Sequence, residues 1–147
     1  MLLELYKKCV NFKDFSRKIY YCIEYYIFKG GEIMQNCIFC KIIKGEIPCQ
    51  KVYEDDMVLS FKDIEPAAPS HVLIIPKKHI SSLNDVTEED SKIIAHVFMA
   101  AQKIVKELGI DKDGYRIVSN CGENGGQSVP HVHFHLLGGR SLQWPPG

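Results

Sequence analysis

Three histidines, His131, His133 and His135, alternate with Val132, Phe134 and Leu136 near the C-terminal end of the chain. In an extended strand successive side chains point to opposite faces, so this spacing puts the imidazoles on one face and the apolar residues on the other. The apolar face can pack into a core while the other presents a row of bases that titrate near neutrality. Just upstream, Gly125 and Gly126 let the backbone approach a ligand closely, and Gln127 and Ser128 bring an amide and a hydroxyl. Such groups beside stacked imidazoles suit an anionic ligand, a phosphate above all. The middle imidazole, His133, is the best placed to react, because each neighbour can orient or polarise it. A neutral ring keeps one lone pair, which can attack phosphorus and displace a leaving group, and water then cleaves the phosphorus–imidazole bond. One histidine would suit a buried strand with polar filler; three on one face do not.

Several elements must hold these groups. Cys37 to Lys44 reads as a short helical turn, ended by Gly45 and Pro48. Lys51–Glu54 and Val58–Phe61 read as strands around a turn at Asp55-Asp56, and His71–Pro76 as a third, strongly apolar strand after the rigid loop Glu65–Pro69. Thr87 with Asp90 forms a capping box for the main helix. Ile93, Ile94, Val97, Phe98, Ala101, Ile104, Val105 and Leu108 mark one continuous face of that helix, and Gly109 is its stop. Tyr115–Asn120 and Val132–Leu137 complete five strands. Strands joined by short turns around one long helix predict an α+β domain with an antiparallel sheet.

His131-Val132-His133-Phe134-His135-Leu136-Leu137 resembles the His-φ-His-φ-His-φ-φ motif of the histidine triad superfamily. Asp63-Ile64 with Pro66 before Pro69-Ser70-His71, then Ile75-Pro76-Lys77-Lys78-His79-Ile80, and Gly139-Arg140 leading to Trp144-Pro145-Pro146-Gly147, look like its nucleotide-binding (Hint) branch in bacteria. The likeness runs in order from about Asn36 to the C-terminus. It implies a HIT-like fold: a five-stranded antiparallel sheet, one long helix and a short N-terminal helix. It implies a purine nucleotide-binding hydrolase or transferase that cleaves nucleoside phosphoramidates, or aminoacyl and lysyl adenylates, through a covalent nucleotidyl-histidine on His133. His135 and His71 would support the reacting centre. Ser128 and Gln127 would contact phosphate oxygens or the leaving group, where donors aimed at developing charge speed the reaction. The resemblance gives Asp63 to the ribose, Phe61 and Ile64 to the base, and Asn120 and Gly126 to the surroundings of the phosphate. It also implies a homodimer in which the tail carrying Trp144 reaches the partner's site.

Cys37-x-x-Cys40 is ambiguous by spacing alone between a metal site, a redox pair and neither. Tetrahedral zinc needs four ligands, and histidines are the natural complement. Some relatives within the superfamily hold a structural zinc with two cysteines and two histidines, and by that resemblance Cys37, Cys40, His79 and His131 are the expected set. Cys49, Cys121 and His96 read as packing or helix-surface residues.

Zero net charge and the lack of a long basic run disfavour extended nucleic-acid binding. No apolar run approaches the ~20 residues of a membrane span. No convincing signal peptide is legible, and a reduced cytoplasm is expected for the six cysteines. The first 33 residues differ from the rest and hold five of the seven tyrosines. Lys29-Gly30-Gly31-Glu32-Ile33-Met34 back-translates to AAA-GGA-GGT-GAA-ATA-ATG, a ribosome-binding site followed by a start codon. Residues 1–33 are therefore read as an extension, either a translated upstream region or a disordered leader, and 34–147 as the domain. Besides the covalent hydrolase, two alternatives stand: a non-catalytic nucleotide sensor or binding module, and a zinc hydrolase in which His131, His133 and His135 together hold the metal.

Overall fold

A computed structural model of the protein describes residues 36–146, so the extension expected at 1–33 lies outside the described residues. Helix α1 (Ile38–Ile43) follows the first cysteine of the pair. Strands β1 (Lys51–Glu54), β2 (Val58–Lys62), β3 (Ser70–Pro76), β4 (Tyr115–Val118) and β5 (Phe134–Gly138) form one sheet in the order β1-β2-β3-β5-β4. Every neighbouring pair is antiparallel. Helix α2 (Ser91–Glu107) spans the interval between β3 and β4.

The alternation in the strands divides the core in two. Val58, Val72, Ile74, Val132, Phe134 and Leu136 pack with Val97, Ala101 and Ile104 of α2. Leu59, Phe61, Leu73 and Ile75 point the other way and pack with Cys37, Phe39 and Cys40 around α1. β3 is buried along nearly its whole length because both faces are covered. The Thr87–Asp90 capping box is present, but it opens a 3-10 turn at Glu88–Asp90 that runs on into α2. The buried Asp90 carboxylate also takes Lys78 at 2.6 Å, tying the end of β3 to the start of the helix. Gly109 stops the helix with φ at 68°, a conformation that costs glycine little. One residue departs from the expected apolar face: Phe98 is 46% exposed, resting at the edge of the core with its ring 5.9 Å from that of Phe134. Among the described residues no helix is long and apolar enough to cross a membrane.

The β1–β2 turn is fastened through one side chain. Asp55 Oδ1 accepts from the backbone N–H of Met57 (2.9 Å) and Val58 (3.0 Å), while Oδ2 takes the Tyr53 hydroxyl (2.8 Å) and His96 Nε2 on α2 (2.6 Å). Partial burial pushes the Asp55 carboxyl up, but the hydrogen bonds from His96, Met57, Val58 and Tyr53 outweigh it and hold the group well below the usual carboxylate range. Asp55→Ala is expected to cost about 2 kcal/mol, the scale of several partly solvated hydrogen bonds lost together, read from urea unfolding. A carboxyl with a lowered folded pKa stabilises above its unfolded value and loses that contribution as pH falls through the folded one. The stability gap between wild type and variant should therefore hold near neutrality and narrow below about pH 4. A gap independent of pH down to acid unfolding would refute the account.

Candidate active site

The three histidines divide among different partners. Val132, Phe134 and Leu136 face α2 as the alternation requires, and the imidazoles lie on the α1 side. Regular strand geometry begins only at Phe134, so His131 and His133 sit on the extended approach to β5 rather than within it. Nor is the row open along its length. His131 and His133 are buried, and only His135 is partly accessible. Phe39 of α1 covers the first two, with ring centroids 5.9 Å from His131 and 5.3 Å from His133. The sequence reading passed over Phe39, though an aromatic between two paired cysteines was a signal of something to be covered.

His133 Nδ1 lies 2.7 Å from the backbone oxygen of His131. A carbonyl only accepts, so Nδ1 carries the proton and Nε2 keeps a free lone pair. Ser119, just past the edge strand β4, steadies this segment, its hydroxyl donating to the His133 oxygen at 2.8 Å. The ring of His135 stands 5.2 Å from that of His133.

His135 is set by His71 on β3. The backbone N–H of Ala67 donates to His71 Nδ1 at 3.1 Å, which leaves the His71 proton on Nε2. That nitrogen lies 2.8 Å from His135 Nδ1 and 3.3 Å from Asp63 Oδ2. With Nδ1 accepting, a neutral His135 carries its proton on Nε2. Burial first, then the neighbouring imidazoles of His133 and His71, lower the His135 pKa against the opposing pull of Asp63, so the ring is neutral at pH 7. Asp63 is held by the Glu65 N–H on Oδ1 (2.8 Å), with Oδ2 turned to the histidines. The rigid Glu65–Pro69 loop thus supplies the amide that fixes a tautomer. Arg140 donates to the Ala67 oxygen at 3.1 Å, a link no local pattern announces.

The loop before the histidines is tightly built. Gln127 Nε2 donates to Ser81 O (2.7 Å) and Val129 O (3.0 Å), its Oε1 accepts from Gly122 N–H, and its own N–H goes to Gly122 O. These bonds brace the loop, and Gln127 also lines the depression that Ser128 borders. Asn120 Nδ2 donates to Gly126 O at 3.3 Å. A side chain at Gly125 would collide with the Cys121 backbone oxygen, 2.3 Å from an ideal Cβ. Ser128 borders an open depression of about 500 Å³ together with Ser81, Ser82, Gly122, Glu123 and Pro130. Of the residues expected around the base, Ile64 is 95% exposed, whereas Phe61 is buried with its ring 5.8 Å from Phe39.

At the other end of the row, Cys37, Cys40, His79 and His131 converge, with their ligand atoms all within 4.8 Å of one another. His131 Nε2 donates to Pro76 O at 2.9 Å, so its Nδ1 lone pair faces inward. Cys37 Sγ and Cys40 Sγ lie 3.5 and 3.6 Å from His131 Nδ1, Cys40 Sγ lies 3.3 Å from His79 Nδ1, and the two Nδ1 atoms are 3.2 Å apart. A tetrahedron with ordinary zinc bond lengths has edges of about 3.6 Å between sulfur and nitrogen and about 3.3 Å between nitrogens. The four residues fit that ion. Burial pushes the His131 pKa down to about 4 and, with Cys37 beside it, the Cys40 thiol up to about 11. A three-histidine metal site does not fit: His131 has Nε2 on Pro76 O and Nδ1 towards the thiols, and among the described residues it clusters with Cys37, Cys40 and His79, whereas His135 clusters with His71 and Asp63.

The HIT domain model matches residues 44–142. The chain belongs to the HIT family. Its relatives include the purine nucleoside phosphoramidase of Escherichia coli K12, 48% identical over 108 residues that cover 74% of this chain and 91% of that one. A HIT family hydrolase from Legionella pneumophila Philadelphia 1 superposes with a TM-score of 0.75 at 53% identity, covering 76% of this chain and all of that one. The histidine triad nucleotide-binding protein of Candida albicans superposes with a TM-score of 0.65 at 39% identity, covering 75% and 83%.

Proposed function

We propose that the protein is a nucleotide-binding hydrolase of the HIT family that cleaves purine nucleoside phosphoramidates, and related aminoacyl adenylates, through a nucleotidyl intermediate on His133. The observation that carries this is the hydrogen bond from His133 Nδ1 to a main-chain carbonyl, which leaves Nε2 free to attack. The phosphoramidase name and close identity of the Escherichia coli relative support the substrate class. In the first step the His133 Nε2 lone pair bonds to phosphorus and the P–N bond breaks, its electron pair leaving on nitrogen. The departing amine takes up one proton from solvent, while His135, held through its Nδ1 by His71, orients the reacting groups through its Nε2–H. In the second step water bonds to phosphorus, the P–imidazole bond breaks to restore the neutral His133 ring, and the proton lost by water goes to solvent. Asp63 and the exposed Ile64 lie at the His71–His135 end, where ribose and base would sit. Ser128, with Asn120 and Gly126 beside it, would receive the phosphate. Rapid quenching during turnover of adenosine phosphoramidate should trap an acid-labile, base-stable adduct on the peptide containing His133. An adduct on another residue would reject the assignment. Nucleotide binding with no turnover of any such substrate would favour the sensor reading.

Cys37, Cys40, His79 and His131 are proposed to hold one structural zinc, on the fit of their spacing to a tetrahedron. When bound, the ion would cross-link α1 to the end of β3 and the approach to β5. A homodimer is proposed from the exposed Phe98 and Met99 on α2 and the exposed Tyr115 on the edge strand β4. Their apolar area suits burial against a second copy. Trp144, 82% exposed, is the tail residue that would reach the partner. Light scattering should give the dimer mass at micromolar concentration and a shift towards monomer for Phe98→Asp; a wild-type monomer would refute the assembly.

A further inference from the structure

The depression beside Ser128 has a charge character that the proposed chemistry leaves unused. Its walls are the 81–82 segment, the Gly122–Gln127 turn and Ser128-Pro130. Among the described residues Glu123 is the only ionisable side chain in that lining. The turn carrying Glu123 is fixed: Gly126 N–H donates to Glu123 O (2.9 Å), Gln127 N–H to Gly122 O (3.0 Å), and the Gln127 amide reaches across to Ser81 O (2.7 Å). The opposite wall is fixed to the reacting segment as well, since Val132 N–H donates to Ile80 O at 2.6 Å. The depression therefore keeps its place relative to His133.

Its position along the histidine row separates it from the nucleoside. Asp63 and Ile64 lie at the His71–His135 end, whereas Ser81 follows His79 at the His131 end and contacts its ring at 3.4 Å. A substrate whose phosphorus meets His133 and whose ribose meets Asp63 directs the group beyond the breaking bond towards Ser128 and Glu123. We propose that this depression is the leaving-group subsite and that Glu123 makes it selective for amines carrying a second, positive charge, such as diamines or lysine-like side chains. A carboxylate facing a departing cation attracts it, and the same carboxylate repels an acidic amine such as an amino acid bound through its α-nitrogen.

This inference rests on the phosphoramidase reading, and the test separates the two. The probes are two adenosine 5′-phosphoramidates, one made from propylamine and one from 1,3-diaminopropane, compared by kcat/KM at low ionic strength. Wild type should prefer the diamine, and Glu123→Gln should reduce the diamine-to-propylamine ratio by about two- to fivefold, the scale of one solvent-exposed ion pair. Glu123→Lys should move the ratio further in the same direction, and added salt should shrink the wild-type preference. An unchanged ratio in Glu123→Gln overturns the inference while the phosphoramidase reading stands. If wild type cleaves neither probe, the reading fails and takes the inference with it.

Discussion

His133→Ala is expected to lower phosphoramidate turnover by at least ~10³-fold, the usual scale when a covalent group is removed from a site that keeps its binding residues. Nucleotide affinity should change little, because Asp63, Ile64 and the 120–128 loop do not depend on the His133 side chain for their hydrogen bonds. His135→Ala should be milder, since it orients the reacting groups instead of forming the bond. His71→Ala should be milder still, because it acts through His135 at 2.8 Å and leaves the nucleophile untouched. Single-turnover kinetics with a titrated nucleotide dissociation constant would separate the two quantities. Full activity in His133→Ala would exclude nucleophilic catalysis by this residue. A loss of binding equal to the loss of turnover would instead make His133 a ligand contact.

The second large effect concerns the metal. Purified, untagged protein should carry about one zinc per chain by elemental analysis, and Cys40→Ser should carry none. A ligand that binds only the folded state at a hundredfold over its dissociation constant contributes about 2.7 kcal/mol. For a domain of this size that is on the order of 10 °C in Tm. Chelation of wild type should reproduce the variant's Tm, and zinc should restore wild type but not Cys40→Ser. Equal Tm for metal-free and metal-loaded protein would refute a structural zinc.

The architecture was legible where local pattern decides it. β1 has the bounds that its sequence suggested, and Val132, Phe134 and Leu136 meet α2 as strict alternation requires. The capping pair Thr87 and Asp90 was legible for the same reason, because its partners lie three residues apart. What escaped is set by distant partners. Gln127 braces its loop through Ser81, 46 residues away, a partner that no local pattern announces. His96 finds Asp55 across 41 residues, and Arg140 finds Ala67 across 73. Phe98 satisfied the helical period yet lies at the margin of the core, since periodicity gives a direction but not how far the covering layer extends. The row of histidines was right in its facing, while its graded burial depends on Phe39, from a helix more than ninety residues earlier.

Three contacts that set proton positions along this row come from the main chain: the Pro76 oxygen on His131, the His131 oxygen on His133 and the Ala67 N–H on His71 behind His135. A side-chain substitution at 67 can preserve its amide, so alanine, serine or valine there would leave His71 in the same tautomer. Proline alone would delete the donor. Position 67 would then look permissive in a substitution screen, tolerating nearly every residue, although the atom it contributes is indispensable to the proton arrangement. Tolerance and importance come apart wherever a peptide group does the orienting. The sensitive replacement for such a contact is an ester for an amide in the backbone itself, a change that no codon encodes.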